Sequence, residues 1–570
     1  KKRAGEPTEQ ELNEIHKEMN IVLNTGSADY FVSSKDFLDR AIEKGGVLTK
    51  TSRGSGASFV LNYALGFTAI NRLHSPVTMY PERFCSESKM RIAMPDLDLN
   101  LTNLEAFEEA GKELFGEYGF LPMVAYGTTK TSSAFKLLAR ARNIDFETQN
   151  AISKQIQNYE LDVKHAKENN QDDPDYDVNE EIKLENYVEQ QYIPLVNESK
   201  QYQGIITTCV PHPCGHIVYH SDLREDIGII RLKSKTGNKE ARFCACIDGA
   251  TADRIGYVKE DLLRVDVVKI IDETFKRAGI EAFDPDELLE KIKDDKEVWK
   301  LYEKGYTQSL NQCEREATIQ KCKQFKPKNI VELSAFISAI RPGFKSMLQT
   351  FLSRSKFNYG VPALDNMLKI EGMTGNSADS SFLIHDEQIL KILLSGKVNG
   401  DTANATLKFI KKKKEKEVLK VQEEFRTGFG NYLQSEEGKT KAEADEIVDE
   451  IFRIIRDAGS YLFCAAHSYA VSLDSTYCAW LKVHYPFELY ATILKLFTEK
   501  GKKEKVSKII NEMYQYKGIK LTPGVFGQDN RDWYIDKENN TISQDLSSVK
   551  FVGSNVADDL YKMKDMRFDT

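Results

Sequence analysis

The length of the chain is the feature that most restricts its fold, because 570 residues are too many for one hydrophobic core. Domains usually contain roughly 100–200 residues, so we expect several of them. Hydrophobic residues make up 41% and charged residues 29% of the chain, which is typical of a globular protein and not of a disordered one. No apolar stretch reaches the roughly 18 residues that cross a bilayer, and the N-terminus carries no apolar secretion signal. We therefore expect a multidomain protein of the cytoplasm.

The charge is distributed unevenly along the chain. The net charge of −8 is low for a nucleic-acid-binding protein. Acidic residues concentrate at 172–181, however, and lysines at Lys411–Lys414 and Lys502–Lys505. A basic groove on an acidic protein is therefore compatible with this sequence. The nine cysteines have no regular spacing, which predicts packing residues rather than disulfides.

Hydrophobic periodicity and glycine or proline breaks predict alternating helical and β-rich regions. The predicted helical regions are 12–44, a helix after the turn Ser52–Ser58, a polar insertion at 130–196 with an acidic loop at 169–175, and 270–520 with breaks at 341–343 and 372–381. The predicted strands are Met94–Leu99, 205–219 and 257–268, and residues 552–557 form a tight turn before a last helix.

The strand at Met94–Leu99 carries two aspartates that can serve metal chemistry. Asp96 and Asp98 are two residues apart, so they project from the same strand face and can share divalent cations. A third carboxylate from a neighbouring strand would complete the oxygen ligands that Mg²⁺ prefers. Such a cluster suits phosphoryl transfer, in which one ion activates a hydroxyl and another neutralises a triphosphate and its leaving group. Taken alone, an Asp-x-Asp pair is more often an exposed strand face or a turn.

A glycine-serine turn precedes this strand. Gly54 and Ser55 at a helix start offer backbone N–H groups and a hydroxyl to phosphate oxygens, and Arg53 adds positive charge. A Gly-Ser turn followed by an Asp-x-Asp strand is the sequence order of polymerase-beta-like nucleotidyltransferase palms.

Short motifs along the chain occur in an order that resembles the C-family DNA polymerases, the alpha subunit of bacterial DNA polymerase III. The motifs lie between about Leu12 and Pro486. They are Tyr30-Phe31, Arg53–Ser58, Glu82–Phe84, Met94–Asp98, Tyr126–Thr128, His212–Gly215, Val258–Leu263, Gln312–Glu314, Arg341–Gly343, Asp386–Gln388, Lys413-Lys414, Tyr461–Phe463 with His467, Trp480–Lys482 and His484–Pro486.

The resemblance implies a multidomain α+β fold. It contains a polymerase-beta-like nucleotidyltransferase palm formed by residues 1–127 and 206–266, a helical thumb at 128–205 and mainly helical fingers at 267–520. Residues 521–570 would start a helix–hairpin–helix and clamp-binding region. The turn at Val552–Asn555 resembles one hairpin of that element, although a lone glycine turn is more often only a turn.

The resemblance assigns Asp96, Asp98 and Asp261 as the catalytic carboxylates and the ligands of two Mg²⁺ ions, with Asp266 as the alternative third ligand. Lys259, two residues before Asp261 on the same strand face, would meet a primer or substrate phosphate. The competing interpretation is that Lys259 and Asp261 form a surface charge pair.

The family also binds the triphosphate through arginines and lysines. The residues implied to bind the nucleotide or its phosphates are Arg53, Gly54, Ser55, Arg83, Lys259, Arg341, Lys408, Lys413, Lys414 and His467. Counting from Asp386 places Lys408 and Phe409 where the family has an arginine pair. Lysine lacks the bidentate fork of arginine and Phe409 has no charge, so Lys411 and Lys412 would have to compensate. A solvated helix face explains the lysine run equally well.

A second departure from the family pattern lies at Cys464–Ala466, where the family usually has an asparagine and a lysine. His467 is retained, either as a donor to the triphosphate or as a packed core histidine. A different metal site is also conceivable, because Cys209, His212, Cys214, His216, Cys244 and Cys246 are residue types that hold zinc. Their spacing is not that of a standard zinc knuckle, and the predicted strands would turn cysteines inward.

The resemblance implies a template-directed DNA polymerase that acts in replication, with deoxynucleoside triphosphates (dNTPs) and primer–template DNA as substrates and no membrane partner. A sliding clamp and clamp loader would bind through regions outside this chain, and the enzyme would work at the nucleoid. The phosphoesterase (PHP) domain of the family and an exonuclease signature are absent from this sequence, which suggests a fragment or a divergent bacterial or phage form. Two alternatives remain: an inactive, polymerase-derived DNA-binding protein and a non-replicative nucleotidyltransferase.

Overall fold

A computed structural model of the chain describes residues 7–91, 94–95, 97–169, 182–233, 241–341, 344–412, 414–459, 462–549 and 552–566. The chain divides into two compact units. The first unit comprises residues 1–114 and 260–570, and the second comprises residues 115–259. The strands on both sides of the helical insertion group with the inserted helices in the second unit. The structure is a mixed α/β protein with many helices.

The first part of the first unit contains helices and two short strands: α1 (Glu9–Asn24), α2 (Ala28–Glu43), β1 (Val47–Leu48), α3 (Val60–Leu65), α4 (Glu87–Met90), β2 (Asp98–Thr102) and α5 (Leu104–Phe115). The helix predicted over 12–44 is therefore two helices. Gly26 separates them with a φ of +66°, which an α-helix cannot accommodate. Thr8 and Glu11 cap the start of α1 reciprocally.

The second unit combines a small sheet with a helical layer. Its elements are β3 (Phe120–Thr128), α6 (Thr131–Ala141), α7 (Phe146–Asn169), α8 (Ile193–Ser199), β4 (Ile206–Val218), α9 (Leu223–Asp226), β5 (Ile229–Leu232), β6 (Arg242–Ala245) and α10 (Gly249–Ile255). Strand β3 pairs antiparallel with β4 and parallel with β6, and β5 pairs antiparallel with β6. The predicted strand at 205–219 is confirmed. Residues 170–175 of the predicted acidic loop lie outside the described residues.

The chain then returns to the first unit, where helices dominate as predicted. The elements are β7 (Val258–Arg264), α11 (Asp266–Ala278), α12 (Pro285–Ile292), α13 (Lys296–Lys304), α14 (Glu316–Phe325), α15 (Ile330–Ala339), α16 (Lys345–Leu352), α17 (Pro362–Leu368), α18 (Asp386–Ser395), α19 (Gly400–Lys411), α20 (Glu415–Phe425), α21 (Asn431–Ser435), α22 (Lys441–Ala458), α23 (Ala465–His484), α24 (Pro486–Glu499), α25 (Lys503–Lys517), β8 (Lys520–Thr522), β9 (Tyr534–Asp536), β10 (Thr541–Ser543) and α26 (Ser554–Lys562). Strand β10 pairs parallel with β8 and antiparallel with β9.

Strand β2 lies between two partners in the first unit. It pairs antiparallel with β1 and parallel with β7, and Asp98 and Asp261 are paired Cα positions in the parallel register. Parallel strands need a long crossover connection, and here the chain from β2 to β7 includes the whole second unit.

Helix α23 is the central helix of the first unit. Almost all of its residues are buried, which is expected of a helix that carries apolar or small side chains on every side. Its Ser468 hydroxyl lies 2.9 Å from the Ser334 hydroxyl of α15, so small polar side chains allow these two helices to approach closely. A separate apolar cluster joins helices α17 to α22. Within the described ranges, no helix has both the length and the apolar character needed to cross a membrane.

Candidate active site

Two carboxylates lie side by side where β2 and β7 pair. Asp98 and Asp261 occupy directly paired positions of these parallel strands. Neighbouring strands are about 4.8 Å apart and paired residues project to the same face, so the two side chains are adjacent. Glu260 and Leu262 are buried on the opposite face, whereas Asp261 and Asp98 are half-buried. The strand register therefore brings together two of the three predicted metal-binding carboxylates.

The third predicted carboxylate, Asp96, lies outside the described residues. The residue before it is held in place, because the Tyr30 hydroxyl donates a hydrogen bond of 2.8 Å to the Pro95 carbonyl. This contact fixes the approach of the chain to β2.

Asp266, the alternative third ligand, does not lie on β7. The strand ends at Arg264, before the predicted end at 268, and Asp266 is the first residue of helix α11. Its carboxylate pairs with Lys500. The strong amphipathic pattern of 266–278 explains why this segment forms a helix rather than extending the strand.

The predicted glycine turn lies against the Asp98 carboxylate. Gly54 has a φ of +61°, a conformation that residues with a side chain rarely adopt. A Cβ atom at this position would lie 2.5 Å from Asp98 Oδ2, well inside van der Waals contact. Both the backbone conformation and the close approach therefore require glycine. Ser55 follows, half-buried, before the short 3₁₀ turn Gly56–Ser58.

His467 binds the backbone of this turn. The Gly54 N–H donates to His467 Nδ1 at 3.1 Å, so it is not the open phosphate donor that the sequence predicted. Burial, together with the charges of Arg53 and Arg341, lowers the pKa of His467 to about 4. The ring is therefore neutral at pH 7, and because Nδ1 accepts a hydrogen bond, the proton resides on Nε2 and is available for donation.

Two arginines supply positive charge around His467. Arg53 is exposed at the turn. Arg341 lies with its Cζ 4.3 Å from the centroid of the Phe463 ring, and its Nη2 donates to Gln312 Oε1 at 2.8 Å. The Phe463 ring also contacts the His467 ring edge-on, with 5.2 Å between centroids. Arg53 is therefore the more open of the two guanidinium groups.

Arg83, a predicted phosphate-binding residue, is engaged by internal partners. Its Nη2 lies 2.7 Å from Asp386 Oδ2, its Nε lies 3.7 Å from Glu387 Oε1, and its Nη1 donates to Asn404 Oδ1 at 3.1 Å. Burial would lower the pKa of Arg83, but the charges of Glu387 and Asp386 outweigh burial and leave the pKa raised. This geometry ties Arg83 to helices α18 and α19 instead of leaving it open to a phosphate.

The departure at Cys464 connects this ion-pair cluster to the glycine turn. Glu387 Oε2 accepts the Ala465 N–H at 2.7 Å, and the Cys464 thiol lies 3.4 Å from Glu387 Oε1 and 3.8 Å from the Gly54 carbonyl. Burial raises the pKa of the Cys464 thiol to about 12, so the thiol stays protonated and can donate. A thiol at this position thus links Glu387 to Gly54.

Helix α19 presents its lysines next to the same cluster. Asn404, Lys408 and Lys411 are spaced by four and three residues, which places them on one helix face. Asn404 contacts Arg83, and Lys411 Nζ lies 3.2 Å from the Asp386 carboxylate. Lys408 is exposed between them.

The remaining residues of the lysine run have different environments. Lys414 is exposed, and Lys413 lies outside the described residues. Phe409, at a position where the family resemblance implied an arginine, packs against the apolar cluster of helices α17 to α22. That side chain therefore serves packing.

In the second unit, Lys259 forms an ion pair with Asp253 of the neighbouring helix α10. This partner differs from both the predicted phosphate and the alternative pairing with Asp261.

The cysteine and histidine cluster of the second unit makes local contacts. His216 is buried and stacks on Phe120 with 5.0 Å between ring centroids, and His212 Nδ1 accepts the Gly215 N–H at 2.6 Å. Cys244 is buried with its thiol near the Arg242 carbonyl. In the part of the chain that the structure describes, no three histidine, cysteine or acidic side chains converge as a metal site would require.

Sequence reasoning missed a buried acid next to the glycine turn. Asp474 of α23 is 1% exposed, and its Oδ1 accepts a 2.7 Å hydrogen bond from the hydroxyl of Thr51, three residues before Gly54. The available signal was that Asp474 is the only acidic residue in helix Ala465–His484. A single acid in an otherwise apolar and hydroxyl-rich helix indicates a buried carboxyl with specific partners.

The burial of Asp474 predicts a distinctive dependence of stability on pH. Burial raises the pKa of Asp474 to about 7, although hydrogen bonds from Thr51, Asn311 and Thr49 lower it in part. The unfolded chain releases this proton near pH 4 and the folded chain only near pH 7, so this carboxyl makes the protein less stable as pH rises from 4 to 7. Two titratable groups next to Asp474 are Tyr477 and Cys478, whose pKa values are raised by burial. Two more, Lys50 and Asp272, line the cavity beside Asp474.

We therefore expect Asp474→Asn to stabilise the protein at pH 8 by on the order of 3 kcal/mol more than at pH 5. Thermal unfolding of wild type and variant at both pH values measures this difference. Asp294→Asn, at an exposed loop position, is the matched control and should leave the pH dependence unchanged. An equal stability change at pH 5 and pH 8 would contradict the buried, protonated carboxyl.

The donor set at Asp98 and Asp261 fits a hard divalent cation. Two half-buried carboxylates share one strand face, and carboxylate oxygens are the ligands that Mg²⁺ prefers. Paired strand carboxylates beside a glycine turn are the arrangement expected of a nucleotidyltransferase site.

Comparison with known proteins agrees with this class. Residues 1–264 match the family model described as the bacterial DNA polymerase III alpha NTPase domain, and residues 267–431 match that of the bacterial DNA polymerase III alpha subunit finger domain. The chain therefore belongs to the family of bacterial DNA polymerase III alpha subunits.

Individual relatives are distant in sequence but match over most of this chain. The DNA polymerase III subunit alpha of Aquifex aeolicus is 24% identical, over 96% of this chain and 47% of its own length. The corresponding protein of Xylella fastidiosa is 24% identical over 98% and 45%, and that of Staphylococcus aureus is 25% identical over 95% and 48%. The chain spans about half the length of the curated relatives it matches.

Proposed function

We propose that this chain is the polymerising part of a replicative DNA polymerase. The reaction is attack of a primer 3′-hydroxyl on the α-phosphate of a dNTP, which forms the new phosphodiester bond, breaks the α–β phosphoanhydride bond and releases pyrophosphate. The observation that carries the proposal is the register that pairs Asp98 with Asp261 next to Gly54. Among the reactions of nucleotidyltransferases, family membership supports DNA synthesis.

Asp98 and Asp261, with Asp96, are the residues that would hold two Mg²⁺ ions. When bound, divalent cations activate the attacking hydroxyl and neutralise charge on the triphosphate. The paired carboxylates provide oxygen ligands on one face of β2 and β7. Gly54 leaves room for the Asp98 carboxylate, because any side chain there would occupy the same space.

The triphosphate is bound by the cationic groups around the turn. Arg53 is exposed and carries a guanidinium that matches phosphate oxygens. His467 is neutral, and its Nε2–H donates without adding charge. Arg341, Lys408 and the exposed Lys414 extend the positive surface.

The proposed domain roles keep the boundaries that the resemblance implies. Residues 1–127 and 206–266 form the palm, residues 128–205 the thumb and residues 267–520 the fingers. Base selection comes from pairing with the template, while the protein contacts phosphates and excludes water. A sliding clamp and its loader are proposed partners, bound through regions outside this chain.

A primer-extension assay tests this function. The chain is incubated with a labelled primer–template, Mg²⁺ and each dNTP in turn. We expect incorporation of the nucleotide that is complementary to the template, and loss of incorporation when the metal is chelated. DNA binding without extension would favour a polymerase-derived binding protein, and nucleotide addition without a template would favour a different nucleotidyltransferase; either outcome contradicts the proposal.

Lys408→Ala is expected to raise the KM for dNTP by about fivefold, because an exposed cation near the site is lost, while primer–template affinity changes by less than about twofold. Steady-state kinetics and a DNA-binding titration measure the two effects. Lys441→Ala, an exposed lysine at the start of α22, serves as the matched control. Equal losses of nucleotide and DNA affinity would argue against a triphosphate role.

A further inference from the structure

We propose that Thr51 and Asp474 are a pair of positioning residues that fix the Arg53–Gly54 turn on helix α23. This inference rests on the proposed function and adds a role that neither the family resemblance nor the sequence assigned. Neither residue needs to touch the substrate. The pair acts through the turn, whose Gly54 lies against the Asp98 carboxylate.

Thr51 is buried, and both its hydroxyl and its backbone N–H have partners within the protein. Its side chain is 0% exposed, and its hydroxyl donates to Asp474 Oδ1 at 2.7 Å. Its N–H donates to the Thr49 hydroxyl at 3.2 Å, and the two threonine hydroxyls lie 2.9 Å apart. A threonine hydroxyl that donates to a buried carboxyl fixes one rotamer and, with it, the direction of the following backbone.

The first turn of helix α23 and the residue just before it hold the glycine turn at two further points. His467 accepts the Gly54 N–H, and Cys464 lies near the Gly54 carbonyl. His467 and Asp474 are seven residues apart, so they lie on the same side of the helix and about 10 Å apart along its axis. One rigid helix therefore holds residue 51 and residue 54, and Arg53 lies between these attachments.

The packing beside Asp474, the partner of Thr51, is incomplete. A cavity of about 50 Å³ lies beside Asp474 and is lined by Val47, Leu48, Thr49, Val268 and Phe275, among others. Because the residues around Asp474 have room to shift, the hydrogen bond from Thr51 is what ties the start of the turn to this part of helix α23. Small displacements of positioning elements are costly in catalysis, where about 1 Å can reduce rates a hundredfold.

The test uses variants that separate an effect on the position of the turn from an effect on the stability of the protein. Thr51→Val removes the hydroxyl at nearly constant volume, and Thr51→Ser retains it. Asp474→Leu removes the acceptor, and Asp474→Asn retains a carbonyl oxygen that can accept. Thr274→Val is the matched control, because Thr274 is also fully buried and its hydroxyl likewise donates, to the Ile270 carbonyl of α11.

Each variant is assayed for dNTP KM, kcat, primer–template affinity and Tm. We expect Thr51→Val and Asp474→Leu to raise the dNTP KM by about tenfold with primer–template affinity unchanged, and Thr51→Ser and Asp474→Asn to remain within about twofold of wild type. The double variant Thr51→Val, Asp474→Leu should be no worse than Asp474→Leu alone, because Asp474→Leu already removes the Thr51–Asp474 hydrogen bond.

The outcomes distinguish the inference from the proposed function. If wild type extends primers but Thr51→Val lowers only Tm, as Thr274→Val does, the pair is structural and the inference is overturned while the function stands. If Asp474→Leu fails to fold, the comparison of Thr51→Val with Thr51→Ser still decides the matter. If wild type does not extend primers at all, the proposed function fails first.

Discussion

Asp98→Asn and Asp261→Asn are each expected to lower the rate of nucleotide addition by about a thousandfold or more, with primer–template affinity nearly unchanged. Each substitution keeps the shape of the side chain but removes one negative charge from a pair that must hold divalent cations. Single-turnover extension at saturating dNTP measures the rate, and a DNA-binding titration measures affinity.

Asp266→Asn is the matched control for this prediction. Asp266 is five residues from Asp261, but it starts helix α11 and pairs with Lys500. We expect this variant to extend primers at close to the wild-type rate. Loss of activity in Asp266→Asn with activity retained in Asp261→Asn would show that the third carboxylate has been assigned to the wrong residue.

Gly54→Ala has the second largest expected effect, a loss of at least about a hundredfold in kcat/KM. Two causes contribute to this loss. The backbone of residue 54 has a φ of +61°, and the new Cβ would lie 2.5 Å from Asp98 Oδ2. The carboxylate must move away from its partner Asp261 or the turn must open. Extension kinetics with wild type and variant measure the loss.

The glycine at 438 separates these two causes. Gly438 has a φ of +65°, and a Cβ there would meet no atom within 4 Å. Gly438→Ala therefore carries the same backbone strain without the collision, and we expect a modest fall in Tm with normal activity. If both alanine variants lose activity equally, the close approach to Asp98 is not the cause.

The strands of the site were predicted only in part. Periodicity predicted strands at Met94–Leu99 and 257–268, and the structure has them at Asp98–Thr102 and Val258–Arg264. The family resemblance, not alternation along either strand, grouped Asp98 with Asp261. Their direct pairing depends on the register of two strands separated by the whole second unit, and no local pattern encodes that register.

Two groups predicted to bind phosphate have partners within the protein. The Gly54 N–H was predicted to be open to phosphate, but His467 from a distant helix accepts it. Arg83 was predicted to bind phosphate, but two carboxylates at the start of α18 engage it. Both outcomes depend on long-range contacts between side chains, which composition and spacing do not reveal.

The two departures from the family pattern also become interpretable through contacts. Phe409 contributes to an apolar cluster, and Cys464 lies between Glu387 and Gly54. In each case the substituted side chain has a defined packing or hydrogen-bonding role. The roles of Thr51 and Asp474 were invisible in sequence for the same reason, since they lie more than 400 residues apart in the chain.

The central claim is that Asp98 and Asp261 together bind divalent cations beside the Gly54 turn, and Mn²⁺ binding followed by electron paramagnetic resonance tests it most directly. Wild type and the Asp98→Asn, Asp261→Asn double variant are titrated with Mn²⁺ in the presence of primer–template and a non-hydrolysable dNTP. We predict that wild type binds Mn²⁺ at protein sites that the double variant lacks, while Asp266→Asn binds as wild type does. Equal Mn²⁺ binding by wild type and the double variant would contradict the claim.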